Sequence, residues 1–156
     1  MSEKSSIGKA EITRTLEQLG HILEIAGSSP FKVRAFVNGS RALENWQGDL
    51  FQLVGDGNVS SIQGIGKGLA SIIEDLVQDG QSEAETEIRA LIPESLLQLL
   101  RIAGLGPKKV RAIYEKLEIE TIDDLEKACK EELIQYLPGF GKTSENSILK
   151  GINNLR

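Results

Sequence analysis

The sequence is poor in the side chains from which most metal sites and many catalytic sites are built. Its 156 residues include one cysteine, Cys129, and one histidine, His21. A Cys/His zinc site needs several such ligands and an intrachain disulfide needs two cysteines, so the sequence excludes both. We expect Cys129 to be a small packing residue, and His21 to lie on a helix surface or to be half-buried.

Aromatic residues and positive charge are also scarce. Phe, Trp and Tyr make up 4% of the residues, which argues against a flat aromatic platform for stacking RNA bases. The 23 acidic residues outnumber the 18 Lys and Arg residues, and the net charge of −5 does not favour a general polyanion binder. If the protein binds nucleic acid, it must do so through local basic segments.

Nothing in the sequence indicates a membrane or secreted protein. No apolar run reaches the length of a membrane span, and the N-terminal segment has no signal-peptide core. We therefore expect a cytoplasmic protein.

What the sequence does contain is apolar residues at helical spacing along most of its length. Ile12, Leu16, Leu19 and Leu23 form one stripe of an amphipathic helix that should end near Gly27. No segment shows the alternating pattern of a strand. The sequence predicts an all-α fold made of two small helical subdomains, residues 1–80 and 81–156.

Helix boundaries can be predicted from capping residues at several points. Ser29 followed by Pro30 predicts the start of a helix, and Thr121 with two acids in the next turn predicts another. The Asn-Gly pair at residues 38–39 is a turn signal, so we expect a weak point inside the helix that follows Ser29.

The most informative feature is a segment that recurs three times. The sequences "SIQGIGKGLASII" (61–73), "RIAGLGPKKVRAI" (101–113) and "YLPGFGKTSENSIL" (136–149) each contain Gly-hydrophobic-Gly. An apolar residue lies two positions before the first glycine, and an amphipathic helix follows the second. The intervals of 40 and 35 residues between copies, and the unlike segments that separate them, disfavour a regular solenoid. We call the three triplets hairpin 1 (residues 64–66), hairpin 2 (104–106) and hairpin 3 (139–141).

Each copy contains the features of an anion-binding site. Two glycines allow a tight turn and keep side chains off its outer surface, while the middle residue (Ile65, Leu105 or Phe140) should point inward. The turn leaves the N–H groups of the next helix without partners at the positive end of its dipole. The candidate phosphate-binding residues are Gly64, Gly66 and Lys67; Gly104, Gly106, Lys108, Lys109 and Arg111; and Gly139, Gly141 and Lys142.

A single Gly-x-Gly is equally well explained as an ordinary turn between two helices. Three copies with the same flanks, each with lysine after it, favour a shared binding role. A Rossmann-type nucleotide site is disfavoured, because no strand precedes these glycines and the third glycine of that motif is missing from the second and third copies.

The ordered copies, together with "PFKVRAF" at residues 30–36, resemble the N-terminal region of bacterial X-family DNA polymerases over nearly the whole chain. The resemblance implies a polymerase-beta-like N-terminal helical domain with one helix-hairpin-helix, followed by a fingers-like domain with two. It implies binding to the two sides of a DNA gap, with Lys32 and Arg34 as candidate ligands of the 5′-phosphate. It also implies a K⁺ or Na⁺ ion held by backbone carbonyls of Ser60, Ile62 and Ile65, and of Leu100, Ile102 and Leu105.

The sequence departs from that family where its chemistry is concerned. The chain has no palm domain with Asp-x-Asp carboxylates, and one histidine cannot support the family's phosphoesterase domain. Ile72 stands where lyase-competent relatives carry the lysine that forms a Schiff base. Lys67 remains as a substitute nucleophile, but its place at the mouth of the hairpin should leave it solvated. We therefore expect no enzymatic activity from this chain.

The sequence thus favours a non-catalytic, non-sequence-specific DNA-binding protein of DNA repair, associated with the nucleoid. It should recognise gaps, nicks or ends, and a repair polymerase or another repair protein is a possible partner. Two alternatives stay open: an adaptor whose hairpins bind protein, and a deoxyribose-phosphate lyase. The first Met and the missing lysine favour a free-standing protein over a fragment of a longer polymerase.

Overall fold

The computed structural model describes residues 8–156, and these residues form helices and no strands, which confirms the all-α prediction. Two short 3₁₀ helices span Val59–Ser61 and Ile134–Tyr136. None of the helices in residues 8–156 is both long and apolar enough to cross a bilayer. The α-helices are α1 (Lys9–Ile25), α2 (Pro30–Asn45), α3 (Leu50–Gly55), α4 (Lys67–Asp79), α5 (Glu83–Arg89), α6 (Leu96–Leu99), α7 (Pro107–Leu117), α8 (Ile122–Lys130) and α9 (Lys142–Leu155).

The described residues divide into two compact units. The first contains the residues up to Glu24 and Ser28–Leu91, and the second contains Ile25–Gly27 and Ile92–Arg156. The first unit therefore carries hairpin 1, and the second carries hairpins 2 and 3. The subdomain boundary expected between residues 80 and 81 stays a prediction. In the structure, the residues from Ser28 to Leu91 have most of their contacts within the first unit, so α5 belongs to that unit.

The core of the first unit begins with the apolar stripe of α1. Ile12, Leu16, Leu19 and Leu23 are each at most 1% exposed, as the spacing predicts. The helix ends at Ile25, and Gly27 follows it with φ of +83°. His21, on the same helix, is half-buried.

Helix α2 begins where its cap predicts but does not break where its Asn-Gly pair predicts. The Ser29 hydroxyl accepts a hydrogen bond from the Lys32 N–H at 3.2 Å, with Pro30 at the first helical position. The helix then runs unbroken to Asn45, so the expected weak point at residues 38–39 is wrong. Gly39 is buried, and a Cβ there would overlap the side chain of Leu69 in α4. The glycine lets α2 lie close to hairpin 1, and this packing outweighs its weak helix propensity.

The second unit is built of α6–α9. The Thr121 hydroxyl accepts from the Asp124 N–H at 3.1 Å, which confirms the predicted cap of α8. Arg156 forms ion pairs with Asp123 and with Glu126, the latter at 2.7 Å, and so joins the end of the chain to α8. Asp123 and Asp124 both lie in the first turn of α8, as predicted for acids at a helix N-terminus.

Cys129 lies in the core of the second unit and is 4% exposed. Burial, and after it the negative charges of Glu145 and Glu126, raise the pKa of its thiol to about 11. At neutral pH the group is a protonated thiol, so it has little of the thiolate character that reactivity requires. The expectation of a packing residue agrees with this position.

Candidate nucleic-acid interface

The three hairpins share the turn at their first glycine, whereas the second glycine has φ of −84° and −89° in hairpins 1 and 2 and −153° in hairpin 3. The first glycine of each has a positive φ, at +100° for Gly64, +84° for Gly104 and +83° for Gly139. This left-handed conformation is unfavourable for other residues, so the first glycine is needed for the turn itself. The N–H of the middle residue closes the turn on the carbonyl three residues earlier. These bonds are Ile65 to Ile62 at 3.0 Å, Leu105 to Ile102 at 3.0 Å and Phe140 to Leu137 at 2.9 Å.

The second glycine of each hairpin is the N-cap of the helix that follows. Gly66, Gly106 and Gly141 precede α4, α7 and α9, and no side chain caps any of the three helices. The first hydrogen bond inside each helix is made by the fourth helical residue, for example Ala70 N–H to the Gly66 carbonyl at 2.9 Å. The N–H groups before that residue have no intrahelical partner, and an anion is their natural ligand.

The middle hydrophobe is buried in two of the three hairpins. Ile65 is 4% exposed and Leu105 is 3% exposed, as expected. Phe140 is only half-buried, so the middle residue of hairpin 3 is less enclosed than those of hairpins 1 and 2. The Lys109 Nζ lies 5.8 Å from the centroid of its ring, within the range of a cation–π contact. Because Lys109 belongs to α7 and Phe140 to hairpin 3, this contact places hairpins 2 and 3 side by side.

The predicted phosphate contacts sit in the first turns of the three helices. Lys67 and Lys142 are the first residues of α4 and α9, and Lys108 and Lys109 follow Pro107 in α7; all four side chains are exposed. Arg111 is also exposed, but its Nε pairs with Glu115 at 3.2 Å. Part of its charge is thus balanced within α7.

The two other predicted cations lie on a different element of the first unit. Lys32 and Arg34 are exposed in the first turns of α2, and the Arg34 guanidinium carbon lies 5.0 Å from the ring centroid of Phe31. The part of α2 that approaches hairpin 1 is near Gly39, seven residues beyond Lys32. With a rise of about 1.5 Å per residue, Lys32 lies about 10 Å along the helix axis from that approach. The structure does not bring Lys32 and Arg34 into hairpin 1 itself.

Sequence reasoning missed Glu145, which lies in α9 just after hairpin 3. It is 3% exposed, and its carboxylate accepts hydrogen bonds from the N–H groups of Ile134 and Gln135 at 2.9 and 3.0 Å. The Gln135 side chain donates a third, at 3.1 Å. The carboxylate therefore joins the second 3₁₀ helix to α9 across hairpin 3. The sequence does indicate that Glu145 is unusual, because the matching residues of the other two copies, Ala70 and Val110, are apolar.

Sequence reasoning also missed Gly151 in α9. A Cβ there would lie 2.8 Å from Cγ2 of Ile102 and 3.5 Å from the backbone nitrogen of Ala103. The missing side chain allows α9 to pack against the residues that lead into hairpin 2. Gly39 has the same role toward hairpin 1, so each of these hairpins is supported by a helical glycine.

Two family models match most of the chain, one in each half. Residues 7–82 match the model described as "Helix-hairpin-helix domain", and residues 96–154 match "SAM-like Helix-hairpin-helix tandem". The first match contains hairpin 1, and the tandem contains hairpins 2 and 3. The chain belongs to the helix-hairpin-helix proteins.

The chain is also similar to three bacterial proteins of known name. It is 36% identical over 144 residues to the "DNA polymerase/3'-5' exonuclease PolX" of Bacillus subtilis, covering 92% of this chain and 25% of that protein. It is 44% identical over 57 residues to a DNA ligase of Pediococcus pentosaceus, covering 36% of this chain and 8% of the ligase. It is 35% identical over 82 residues to a DNA ligase of Exiguobacterium sibiricum, covering 45% of this chain and 12% of the ligase. The chain thus spans a quarter or less of the length of each relative, and the region like PolX is its N-terminal part.

Glu145 provides a test of how hairpin 3 is held. Glu145→Ala leaves the N–H groups of Ile134 and Gln135 without an acceptor, and we expect a loss of about 2–4 kcal/mol in the free energy of unfolding. Glu145→Gln keeps one acceptor oxygen for the two backbone N–H groups but sets an NH2 against the Gln135 side-chain donor, and we expect a smaller loss of about 1–2 kcal/mol. Urea unfolding followed by circular dichroism measures both, and amide hydrogen exchange at Ile134 and Gln135 shows whether the loss is local.

The exposed Glu131→Ala is the matched control for loss of a carboxylate, with an expected change within about 0.5 kcal/mol. If Glu145→Ala were as stable as Glu131→Ala, the carboxylate would not be holding the hairpin.

Proposed function

We propose that this chain is a non-catalytic, non-sequence-specific DNA-binding module that holds the DNA backbone at gaps, nicks or ends during repair, in association with the nucleoid. One observation carries the proposal. Three hairpins with the same turn at their first glycine each end in an uncapped helix N-terminus with exposed lysine in its first turn. A series of such sites suits a ligand that carries phosphates at regular intervals.

The site favours contact with the backbone over readout of bases. Its donors are main-chain N–H groups and flexible lysines, which bind phosphate oxygens and carry no sequence information. A Cβ built on Gly66, Gly106 or Gly141 would meet no atom within 4 Å, so those glycines are not needed for internal packing. An open surface of this kind admits a phosphate close to the main chain.

The names of the relatives support the same proposal. They are a DNA polymerase with exonuclease activity and two DNA ligases, and such enzymes act where a DNA strand ends. We infer that the part of the chain that resembles both kinds of enzyme has a role common to them. Holding the DNA next to the strand end is a role of that kind.

The carbonyl groups around hairpins 1 and 2 fit the monovalent cation that the resemblance implies. Within residues 8–156, no backbone N–H outside the regular helix bonds donates to the carbonyls of Ser60, Ile65, Leu100 or Leu105. We propose that the carbonyls of Ser60, Ile62 and Ile65 hold one K⁺ or Na⁺ ion at hairpin 1, and that those of Leu100, Ile102 and Leu105 hold another at hairpin 2. The carbonyls of Ile62 and Ile102 each also accept the turn-closing N–H. Each ion would place positive charge beside the bound phosphate.

We propose further that the chain has no lyase activity of its own. Ile72, at the position of the lyase lysine, is 9% exposed and offers no nucleophile. Lys67 is exposed at the start of α4, whereas a Schiff-base lysine is activated by desolvation or by a second cation.

Borohydride trapping on DNA with an incised abasic site tests this directly. An enzyme that forms a Schiff base becomes covalently linked to the DNA on reduction, and a known lysine-dependent lyase serves as the positive control. We expect no linked product from this chain. A linked product that disappears in Lys67→Ala would instead establish lyase chemistry at hairpin 1.

Fluorescence anisotropy with gapped, nicked and intact duplexes of one sequence, at two salt concentrations, tests the binding proposal. We expect the gapped and nicked duplexes to bind more tightly than the intact one, and all three to bind more weakly at the higher salt. Equal affinity for the three would contradict recognition of strand interruptions. A failure to bind any of them at low salt would contradict DNA binding and favour the adaptor.

Lys109 is the most informative single phosphate contact, because its contact with Phe140 orients it between hairpins 2 and 3. We expect Lys109→Ala to weaken binding by the same factor on every sequence and to reduce the slope of log K against log salt by about 1. Lys116→Ala, in the last turn of the same helix, is the control and should leave the slope unchanged. If the wild type, Lys109→Ala and Lys116→Ala all gave the same slope, Lys109 would not contact a phosphate.

A further inference from the structure

We propose that hairpin 3 carries a stacking site for an unpaired nucleobase, and that Tyr136 forms its surface. The inference rests on the proposed function, since it assigns one of the three hairpins to the single-stranded part of the same DNA. It concerns the second 3₁₀ helix, which leads into hairpin 3.

The second 3₁₀ helix has one buried face and one exposed apolar face. Ile134 is fully buried and Leu137 is 8% exposed, whereas Leu133 is 45% exposed and Tyr136 is 78% exposed. Residues three apart in a 3₁₀ helix lie above one another, so Leu133 and Tyr136 share the outer face. Tyr136 at 78% and Phe31 at 77% are the two most exposed large hydrophobic residues in the described part of the chain.

This aromatic surface belongs to hairpin 3 alone. The positions that match Tyr136 in the other two copies are Ser61 and Arg101, both polar. The middle residue differs in the same direction, because Phe140 is half-buried where Ile65 and Leu105 are fully inside. Hairpin 3 and the residues before it therefore have one exposed and one half-buried aromatic ring where the other copies have polar and aliphatic residues.

Glu145 holds this surface in place. Its three hydrogen bonds go to Ile134 and Gln135, the two residues that precede Tyr136. A buried carboxylate is unfavourable unless its oxygens are well bonded, and the other hairpins have apolar residues there. Here the carboxylate fixes the backbone of the 3₁₀ helix before any ligand arrives. With the backbone fixed, only the side-chain torsions of Tyr136 have to be ordered when a base stacks on its ring.

Lysines belong to the two helices that adjoin hairpin 3, Lys109 to α7 and Lys142 to α9. The Lys109–Phe140 contact places hairpin 2 beside hairpin 3, and Lys142 begins α9 on the other side of the turn. A strand with phosphates at hairpin 2 would pass hairpin 3 next. Aromatic rings between lysines are the usual arrangement for single-stranded nucleic acid, where the base stacks and its phosphates meet the cations.

The same features argue against a protein as the occupant. A stable protein interface needs a broad apolar area, whereas the outer face here consists of Leu133 and Tyr136. A single base presents a flat surface about the size of the tyrosine ring, so one ring is enough.

The test compares Tyr136→Ala with Tyr136→Phe, which keeps the ring and removes the hydroxyl. Phe51→Ala, which removes an exposed aromatic ring from the first unit, is the matched control. Anisotropy gives the affinity for a gapped duplex with one unpaired base and for a nicked duplex without one. The unpaired base is 2-aminopurine, whose fluorescence is quenched when an aromatic ring stacks on it.

We expect Tyr136→Ala to weaken binding of the gapped duplex about tenfold, with a change below about twofold for the nicked duplex. Tyr136→Phe and Phe51→Ala should retain wild-type affinity for both. The wild type and Tyr136→Phe should quench 2-aminopurine on binding, and Tyr136→Ala should not.

Equal losses on the gapped and nicked duplexes, or quenching that survives in Tyr136→Ala, would overturn the stacking site while leaving the proposed function standing. If the wild type bound no DNA at all, both would fall.

Discussion

The structure depends on one local constraint, the positive φ of the first glycine in each hairpin. That conformation reverses the chain within three residues and directs the middle residue back toward the helices. The second glycine then enters the next helix without a side chain that could cap it. The same few backbone angles thus produce both the packing of the hairpin and the unpaired N–H groups that make it an anion site.

These main-chain anion sites explain how a chain with an acidic composition can still bind phosphates. Main-chain N–H groups and a helix dipole supply part of the attraction for phosphate, so the site needs only a few lysines. The net charge of −5 then limits non-specific attraction to nucleic acid over the remaining surface. Binding would be confined to the hairpins, and the salt dependence of binding should reflect the few lysines there.

The three hairpins share the turn at their first glycine but differ in what surrounds it. Hairpin 1 is supported by Gly39 of α2, and hairpin 2 by Gly151 of α9. Hairpin 3 is fixed by a buried carboxylate, and it is the one with aromatic residues, Phe140 in the turn and the exposed Tyr136 just before it. These differences agree with the proposal that hairpins 1 and 2 bind phosphates and that hairpin 3 also stacks against a base.

Most of the fold follows from local patterns in the sequence. The stripe from Ile12 to Leu23, the caps at Ser29 and Thr121 and the three glycine triplets each specify structure within a few residues. The failures are positions where a distant partner decides. Gly39 stays helical because the side chain of Leu69 packs where a Cβ of residue 39 would lie. Phe140 stays half-exposed beside Lys109. Glu145 is buried because two N–H groups ten and eleven residues earlier need its oxygens.

Backbone amide chemical shifts measured by NMR during titration with gapped DNA test the central claim most directly. If phosphates bind at the uncapped helix ends, the largest shifts should fall on the amides of Gly66–Leu69, residues 108–109 and residues 142–144. The amides of α5 and α8 should change little. Large shifts confined to α5 and α8, with the hairpin amides unmoved, would contradict the account.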